Sequence, residues 1–461
     1  MALFQILRGK AANLAGKAFH DGYAYLTPDD GAFYIDAETD GKQKRIHINP
    51  KPDLQELTAD EVQSAWDSYP PVYLTFSSPA TFSIAVAVPT WTGTMEYSTD
   101  TTTWNTWTGA AISGQEVSGR YELYLRGTNN TKIAAANIDD STDGIWSLTG
   151  SNISCKGNIE TLLDYKTVMA MQHPPMDPYC YAGMFNGCEG LIVAPNLPAL
   201  TLTAGCYHKM FAACSNLISV PDLPALVLPA SCYYYMFAGC THLTTAPAIA
   251  ATIFGQYSCY GMFMLCSGLT SVPDLVASQV GYMACYYMFA NCSSLVTAPA
   301  LPATRLADGS CYAFMFQNCT SLTGAPDLPA TSLSAGCYVE MFENCTSLTM
   351  APCIQATEMS IYGNSCAMMF AGCTSLKSIP KLHSTLLLES AYYAMFKNCS
   401  SLKVSATKTD TYTKEYRIPD SGTALDAGSA LTSMFDGTGG TFTGTPEVNT
   451  TYYLDSSMTI V

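Results

Sequence analysis

The chain has 461 residues, a net charge of −16 and charged side chains at 13% of its positions, about half the usual share. An acidic chain without clustered Lys and Arg is not expected to bind nucleic acid. No apolar run approaches the length of a membrane span and no segment has the composition of a targeting signal, so we expect no membrane insertion.

Residues 1–66 form the first predicted segment. It opens with Met1-Ala-Leu-Phe-Gln-Ile-Leu-Arg-Gly-Lys-Ala-Ala-Asn-Leu. The Pro28-Asp-Asp-Gly31 turn lies between two alternating apolar runs and predicts a β-hairpin. The segment resembles the amino terminus of tailed-phage fibre and tail proteins, in which an x-Arg-Gly-x-x-x-Asn-Leu opening precedes a hairpin ending in Tyr-Ile-Asp, here Tyr34–Asp36. The resemblance implies attachment to virion proteins of the capsid, collar or tail; a small capping subdomain is the alternative.

Residues 67–145 predict a small Ig-like β-sandwich, because short β-type runs alternate with Ser, Thr, Gly and Pro turns. The runs are Val72–Phe76, Thr81–Val88, Thr94–Ser98, Gln115–Val117 and Tyr121–Arg126. Trp104 and Trp107 are expected to pack this sandwich. Residues 146–178 then lead into the repeats as their amino-terminal cap.

Nine copies of a Met-Phe motif follow, in residues 179–405. Their spacing is 26, 26, 26, 26, 27, 26, 28 and 26 residues. The pairs are Met184/Phe185, Met210/Phe211, Met236/Phe237, Met262/Phe263, Met288/Phe289, Met315/Phe316, Met341/Phe342, Met369/Phe370 and Met395/Phe396. Such a period predicts a solenoid whose recurrent residues stack in columns.

Within a unit, the run after the second Cys predicts a short strand broken by Pro, as in Leu269–Leu275. The runs Leu217–Leu223 and Leu322–Leu328 repeat this pattern. The Cys-Tyr-x-x-Met-Phe stretch is compatible with a helical turn or with a second short strand. The predicted class is therefore mainly β with short helical or irregular turns.

The motif resembles BspA-like leucine-rich repeats and the related 26-residue repeat of bacterial surface proteins. In leucine-rich repeats an Asn or Cys column caps the turn after the strand through backbone hydrogen bonds. The resemblance gives that structural role to Cys188, Cys214, Cys240, Cys266, Cys292, Cys319, Cys345, Cys373 and Cys399.

Eight further cysteines precede the Met by three or four residues and predict a second column. They are Cys180, Cys206, Cys232, Cys259, Cys285, Cys311, Cys337 and Cys366. The nineteen cysteines are an odd number in a chain long enough to build a core, so reduced, buried thiols are expected rather than disulfides. Zinc is not expected, because the pairs lack CxxC spacing and regular His partners.

Residues 406–461 predict a degenerate closing cap, because Met434/Phe435 follows the last pair after 39 residues and lacks the next Cys. No catalytic motif, nucleotide-binding loop or cofactor signature is present, so no enzyme, cofactor or metal is expected. Glu340 and Glu343 come close together, but we interpret them as solvated side chains. The sequons Asn318-Cys-Thr and Asn344-Cys-Thr follow from the repeat consensus.

Two surfaces remain for binding. One is a shallow polar groove of variable residues such as Thr270, Ser271 and Asp274. The other is an aromatic row of Tyr181, Tyr207, Tyr233, Tyr260, Tyr286, Tyr312 and Tyr338, widened by Tyr234, Tyr235 and Tyr287. Tyrosines give large amphipathic contacts suited to proteins and sugars. The alternative for the recurrent Tyr is a half-buried column whose hydroxyls only reach solvent.

The resemblance of the opening segment to phage fibre proteins, the lack of a targeting signal and the resemblance of the repeats to those of surface proteins together predict a phage head or tail fibre. It would be made in the host cytoplasm and carried on the virion. Its repeats would bind a bacterial surface receptor or glycan, and as a fibre it is expected to be a homo-oligomer, a trimer. The alternative is a bacterial surface or secreted adhesin using the same repeats. A glycan-degrading enzyme would need a carboxylate pair at a groove.

Overall fold

The computed structural model describes residues 5–8, 23–27, 32–39, 42–48, 73–135, 145–306, 308–359, 362–426 and 428–461. The chain divides into two compact units, Met1–Pro70 and Pro71–Val461. As predicted, the structure is mainly β, with 24% strand and 2% helix in several small sheets. Within the described ranges, none of the helical residues forms a stretch with the length and apolarity needed to span a membrane.

The first unit contains a four-stranded sheet in the order β1-β2-β3-β4. Its strands are β1 Gln5–Arg8, β2 Tyr23–Thr27, β3 Ala32–Thr39 and β4 Lys42–Ile48. β1 and β2 are parallel, whereas β2 and β3 are antiparallel, as the predicted hairpin requires. The predicted turn 28–31 and the Asn13-Leu14 part of the opening motif lie outside the described residues.

The second unit begins with two small sheets. The strands are β5 Leu74–Ser78, β6 Ser83–Val86, β7 Thr94–Ser98, β8 Asn105–Trp107, β9 Ile112–Ser113, β10 Gln115–Val117, β11 Arg120–Thr128, β12 Ala134–Ala135, β13 Trp146–Thr149 and β14 Ile153–Lys156. One sheet runs β14-β5-β11-β7-β8 with β10 beside β11, and the other runs β13-β6-β9. Each of the five predicted β-type runs overlaps one of these strands.

Aromatic side chains from both sheets meet in the core between them. The Trp107 ring of the first sheet lies edge-on to Trp146 of the second, with 5.2 Å between centroids. Phe76 also contacts Trp146, at 6.3 Å. Trp107 is therefore core, as predicted, whereas Trp104 lies at the edge with its ring beneath the Arg126 guanidinium.

Among the described residues, one helix, α1 Thr161–Met169, precedes the repeats. Asp164 has non-helical backbone angles, and its Oδ1 accepts hydrogen bonds from the amides of Lys166 (2.9 Å) and Thr167 (3.2 Å). It thus caps the second part of the helix from within. Leu162 and Leu163 are buried in the continuous core.

We call each repeat unit, with one Met-Phe pair between its two Cys positions, a coil. In the central coils, the segment between the two Cys positions is a run of turns, neither a helix nor a strand. In Cys311–Cys319, the Phe316 amide donates to the Met341 carbonyl one coil ahead (2.9 Å), whereas the Met315 amide donates to the Tyr312 carbonyl within the coil (3.3 Å). This alternation recurs from coil to coil and provides acceptors for buried amides.

Every fourth residue of this segment has a left-handed backbone. In the same coil, φ is +55° at Ser310, +58° at Phe314 and +61° at Asn318. Each such residue other than Gly costs about 1 kcal/mol, and an inter-coil hydrogen bond contributes about as much in return. The periodic left-handed turn places side chains in pairs, two inward and then two outward.

Short strands mark the rest of each coil, and one more, β15 Tyr181–Ala182, lies between the two Cys positions of the first coil. The others are β16 Leu191–Val193, β17 Val227–Leu228, β18 Ile253–Phe254, β19 Gln279–Val280, β20 Arg305–Leu306, β21 Ser332–Leu333, β22 Glu358–Met359, β23 Ser378–Ile379, β24 Leu386–Leu387 and β25 Val404–Ser405. β17-β18-β19 and β20-β21-β22 are parallel sheets that join neighbouring coils just before the first Cys position.

The sequence predicts a short strand for the run after the second Cys. In the central coils this run forms isolated bridges instead, such as those of Thr245 with Ser271 and of Leu328 with Ile354. Pro273 explains this within Leu269–Leu275, because proline donates no amide hydrogen and fixes φ. Only β16, β23 and β25, in the first coil and the last two, are strands of this run.

The Phe side chains form a continuous stack through the coils. Consecutive centroids from Phe185 to Phe396 lie 5.4–5.6 Å apart with nearly parallel rings. All are buried, as are the Met side chains before them. Each ring contact adds about 0.5–1.5 kcal/mol beyond the burial of apolar area.

Both ends of this stack are covered. At the first coil, β16 pairs with β14, the Trp146 amide donates to the Met184 carbonyl (2.8 Å), and the Trp146 ring lies against Phe185. At the other end, Phe435 continues the stack 6.0 Å from Phe396.

The closing segment contains β26 Tyr412–Arg417, β27 Leu425–Asp426, β28 Thr451–Asp455 and β29 Thr459–Ile460. β28 pairs with β25 and β26, β27 pairs with β24, and β29 pairs with β23. Three strands of this segment therefore return to pair with the last coils.

Candidate functional site

Six of the nine coils have a Tyr three residues before Met, and this Tyr, Tyr233 of the predicted row included, is a core residue. Tyr181, Tyr207, Tyr312 and Tyr338 are all at most 2% exposed. The expectation that they contribute to a binding row is wrong, because this position belongs to an inward pair. Their rings stack between neighbouring coils, as Tyr181 on Tyr207 at 5.5 Å.

The second Cys column is in fact two columns. Hydrogen bonds between coils place Tyr233 and Cys259 at equivalent positions. The Tyr233 amide donates to the carbonyl of Ser258, the residue before Cys259, and the Cys259 amide donates in the same way to the carbonyl of Ala284, the residue before Cys285. Cys259, and likewise Cys285 and Cys366, therefore occupies the place of the buried Tyr, where its small side chain also fits.

The same shift moves two tyrosines to the surface. Tyr260 and Tyr286 stand two residues before Met, in an outward pair, although each follows a Cys like the buried tyrosines. Counting back from Met-Phe, rather than forward from Cys, is the sequence signal that separates outward from inward tyrosines.

Outward aromatic residues of four neighbouring coils form one surface, which we call the aromatic patch. It consists of Tyr234, Tyr235, Tyr257, Tyr260, Tyr282, Tyr286, Tyr287 and Phe314. Three predicted residues that widen the Tyr row, Tyr234, Tyr235 and Tyr287, lie in it. Tyr257, Tyr282 and Phe314 were missed, because they fall outside the Cys-Tyr motif.

The patch has a stacked row at its centre. Tyr234 stacks on Tyr260 at 4.9 Å, Tyr260 on Tyr286 at 5.0 Å, and Phe314 follows at 4.9 Å in a tilted orientation. Because each ring is held by the next, little side-chain entropy remains to be lost when a partner binds. The row is therefore preorganised.

A second row crosses the first edge-on. Tyr235 lies 5.4 Å from Tyr260, and Tyr287 lies 4.6 Å from Tyr286, both nearly perpendicular. Tyr235 folds over Gly261, where a Cβ would meet its ring at 2.2 Å. Gly261 also has φ +56°, so it fits this place for two reasons.

The hydroxyls of Tyr260 and Tyr286 are neutral at physiological pH. Burial raises the pKa of Tyr286 to about 12, with a further contribution from Tyr287, and burial likewise raises the pKa of Tyr260. A neutral phenol can donate or accept a hydrogen bond. The patch thus combines apolar rings with neutral polar groups.

A hollow of about 250 Å³ opens at one end of the patch. It lies where the stacked row gives way to small side chains, since the positions equivalent to Tyr286 in the next two coils are Ala313 and Val339. Three aromatic residues, Tyr286, Phe314 and Tyr362, belong to its lining.

Glu340 and Glu343 are not the simply solvated pair that we expected. Both are half-buried, and Gln317 Nε2 donates to Glu340 Oε2 (2.9 Å) and to Glu343 Oε2 (2.6 Å). Burial, together with the hydrogen bond and charge of Glu343, raises the pKa of Glu340 to about 7. Two carboxyls in hydrogen-bond contact are closer than the 5 Å or more that separates the carboxyls of a typical glycosidase.

The structural Cys column has a uniform geometry. Each thiol donates to the carbonyl oxygen of the preceding coil's Phe, for example Cys214 to Phe185 (3.0 Å) and Cys292 to Phe263 (3.1 Å); Cys188 instead donates to Trp146 (3.1 Å). Burial raises the pKa of these thiols. All nineteen cysteines are unpaired, and all but Cys353 are buried.

The sequon asparagines have a structural role in the backbone of their coils. Asn318 and Asn344 have φ +61° and +60° at the last left-handed position of their coils. Asn318 Nδ2 donates to Asn291 Oδ1 (3.1 Å) and Asn344 Nδ2 to Asn318 Oδ1 (3.0 Å). Asn recurs there because it tolerates this conformation.

The predicted polar groove is largely engaged with neighbouring coils. Thr270 Oγ1 donates to the Thr244 carbonyl (3.1 Å), and Asp274 Oδ1 accepts from the Ala300 amide (2.8 Å). Among the described residues, no group of three or more His, Cys, Asp or Glu is placed to hold a metal ion.

Searches against protein-family models, curated proteins and solved structures found no match to this chain.

Proposed function

We propose that this chain is a non-enzymatic phage virion protein, a head or tail fibre, that contacts the host bacterial surface through its repeats. The aromatic patch is the observation that carries the binding role. Tyrosine-rich, preorganised surfaces are typical of recognition sites, because large rings give contact area at low entropic cost.

The display scaffold in this proposal is a leucine-rich-repeat solenoid of nine units, of the BspA-like type. The inter-coil hydrogen bonds and the Phe stack support it, since each coil contacts its neighbours in the same way. The patch uses only outward positions, which the scaffold leaves free to vary.

Attachment to virion proteins is assigned to residues 1–66 through their resemblance to phage fibre and tail proteins. The unpaired, buried thiols support folding in a reducing cytoplasm followed by assembly into a particle. An exported bacterial adhesin, the alternative, would pass through an oxidising compartment. A homotrimer is the oligomeric state proposed for such a fibre.

The location of the protein tests this proposal. Antibodies against the full chain should label purified particles, and mass spectrometry should find the chain among virion proteins. Detection only in bacterial envelopes, with paired cysteines, would instead favour the adhesin. Light scattering of the full chain should give three times the chain mass.

Competition tests the binding role separately. Added full-length protein should reduce adsorption of particles to host cells, and Tyr260→Ala should weaken this competition. Tyr393→Ala is the matched control, because Tyr393 holds the same outward position four coils beyond Tyr286. Equal competition by both variants would contradict a role for the patch.

A further inference from the structure

The hollow beside the aromatic patch has the composition of a binding site for a neutral, amphipathic ring. Its lining contains three aromatic side chains, Tyr286, Phe314 and Tyr362, and two neutral polar ones, Ser310 and Asn364. The remaining lining residues are Met283, Ala313, Ala335, Gly336, Val339 and Gly363. None of these described lining residues carries a charge.

The charge balance selects against ionic ligands. An anion would enter a site without a basic residue, on a chain of net charge −16 and near the Glu340–Glu343 pair. A cation would find no carboxylate in the lining, and the neighbouring Glu340–Glu343 pair is already bound by Gln317 Nε2. An uncharged ligand loses least on entering this hollow.

The dimensions select a small ligand. About 250 Å³ is below the range of roughly 300–1,000 Å³ that is usual for drug-sized ligands, so one ring fits but an oligomer does not. The hollow is open on one side and continues into the stacked row at Tyr286. A polymer could place one unit in the hollow and lie across the patch with the next.

We propose that the hollow binds one hexose unit of a neutral polysaccharide, whose chain continues over the aromatic patch. The apolar face of the pyranose ring would pack on Tyr286 and Phe314, and its hydroxyls would hydrogen-bond Ser310 and Asn364. Tyr362, whose side chain is 79% accessible, belongs to the lining and would offer a further aromatic contact to the sugar. This inference rests on the proposed binding function and specifies its ligand class.

Titration of the purified full chain tests the ligand class. Methyl glycosides of glucose, galactose and mannose serve as single-ring probes in saturation-transfer NMR, and dextran, mannan and polygalacturonate serve as polymers in affinity electrophoresis. At least one neutral glycoside and its polymer should bind. Binding of polygalacturonate alone, or of no saccharide, would overturn the proposal.

Filling the hollow tests the site. Val339→Tyr places a tyrosine ring in the hollow. Tyr260 and Tyr286 occupy the equivalent position of their own coils, so the fold already accommodates a tyrosine there. Polymer affinity should fall at least tenfold, whereas Tyr393→Ala should leave it unchanged. Asn364→Gly is a second variant that removes the amide but suits the φ of +57°, and it should also weaken binding.

The two levels of the proposal fail separately. If Val339→Tyr does not fold, Asn364→Gly still decides, and unchanged affinity in a folded variant refutes the hollow. If the chain is absent from particles but binds the neutral polymer, the virion role fails alone. If adsorption is abolished by protease treatment of host cells but not by periodate, the partner is a protein and the saccharide is refuted.

Discussion

Two buried tyrosines give a sharp test of the inward columns. The Tyr207 side chain is 1% exposed, and its hydroxyl has no hydrogen-bond partner among the described residues. An unsatisfied buried hydroxyl costs about 1–3 kcal/mol. Tyr207→Phe removes only this oxygen and retains the ring between Tyr181 and Tyr233. We therefore expect the free energy of unfolding to rise by about 1–2 kcal/mol.

Tyr181→Phe is the matched control with the opposite sign. The Tyr181 hydroxyl donates to the Ile159 carbonyl at 3.3 Å, so its removal leaves that oxygen without this donor. A loss of about 0.5–1 kcal/mol is expected, because the hydrogen bond is long. The two rings are equally buried, so differences in apolar area cannot explain opposite effects.

Urea unfolding followed by tryptophan fluorescence measures both variants. The Trp146 ring lies edge-to-face against Phe185 at the first coil and so reports on the region that contains both tyrosines. The transition midpoint should rise in Tyr207→Phe and fall in Tyr181→Phe, with similar slopes. The reasoning is refuted if Tyr207→Phe destabilises the protein or if both variants shift the midpoint in the same direction.

Three further predictions follow from burial, titration and backbone geometry. In native protein, Cys353 should be alkylated by iodoacetamide well before the buried thiols, as mass spectrometry can determine; uniform labelling would contradict the packing. The pKa of Glu340 is raised from 4.5 to about 7 in the folded chain. The contribution of this carboxyl to the free energy of unfolding should therefore be fully present below about 4.5 and be lost as the pH rises through about 7. Glu340→Gln should abolish this decline, about 1 kcal/mol after allowance for solvent screening, and an unaltered pH profile of unfolding would exclude the assignment. Gly261→Ala should lower the melting temperature and displace Tyr235, whereas Gly324→Ala, with open space at its Cβ, should be neutral; calorimetry distinguishes them, and equal losses would count against the patch geometry.

Much of the fold follows from the Met-Phe period, because residues that recur in register must stack. The predicted β-runs before residue 130 also became strands, since their alternation and turn residues agree. The Cys-Tyr-x-x-Met-Phe segment could not be assigned, because its apolar pairs recur every four residues, and this resembles helical spacing. The left-handed residues that create this period, such as Phe314 and Glu340, are not ones that commonly adopt it.

The site was only partly predictable for a related reason. Tyr234, Tyr235 and Tyr287 stood out because they break the Cys-Tyr pattern, and they do lie in the aromatic patch. Tyr207 and Tyr260 each directly follow a Cys, yet the Tyr207 side chain points inward and the Tyr260 side chain points outward. The hollow could not be foreseen, because it depends on Tyr362 meeting residues two coils earlier, across a 28-residue unit.

Because other segments cover both ends of the Phe stack, the number of coils between them can change. Non-repeat segments at Trp146 and Phe435 complete the two ends, and the described residues of the coils from Met236/Phe237 to Met341/Phe342 bond to the neighbouring coils in a repeated pattern. A recombination event between near-identical units can therefore add or delete a whole coil without exposing an edge. Lineages carrying this gene are expected to differ in length by multiples of about one unit, and each change would lengthen, shorten or relocate the aromatic surface while residues 1–66 stay the same.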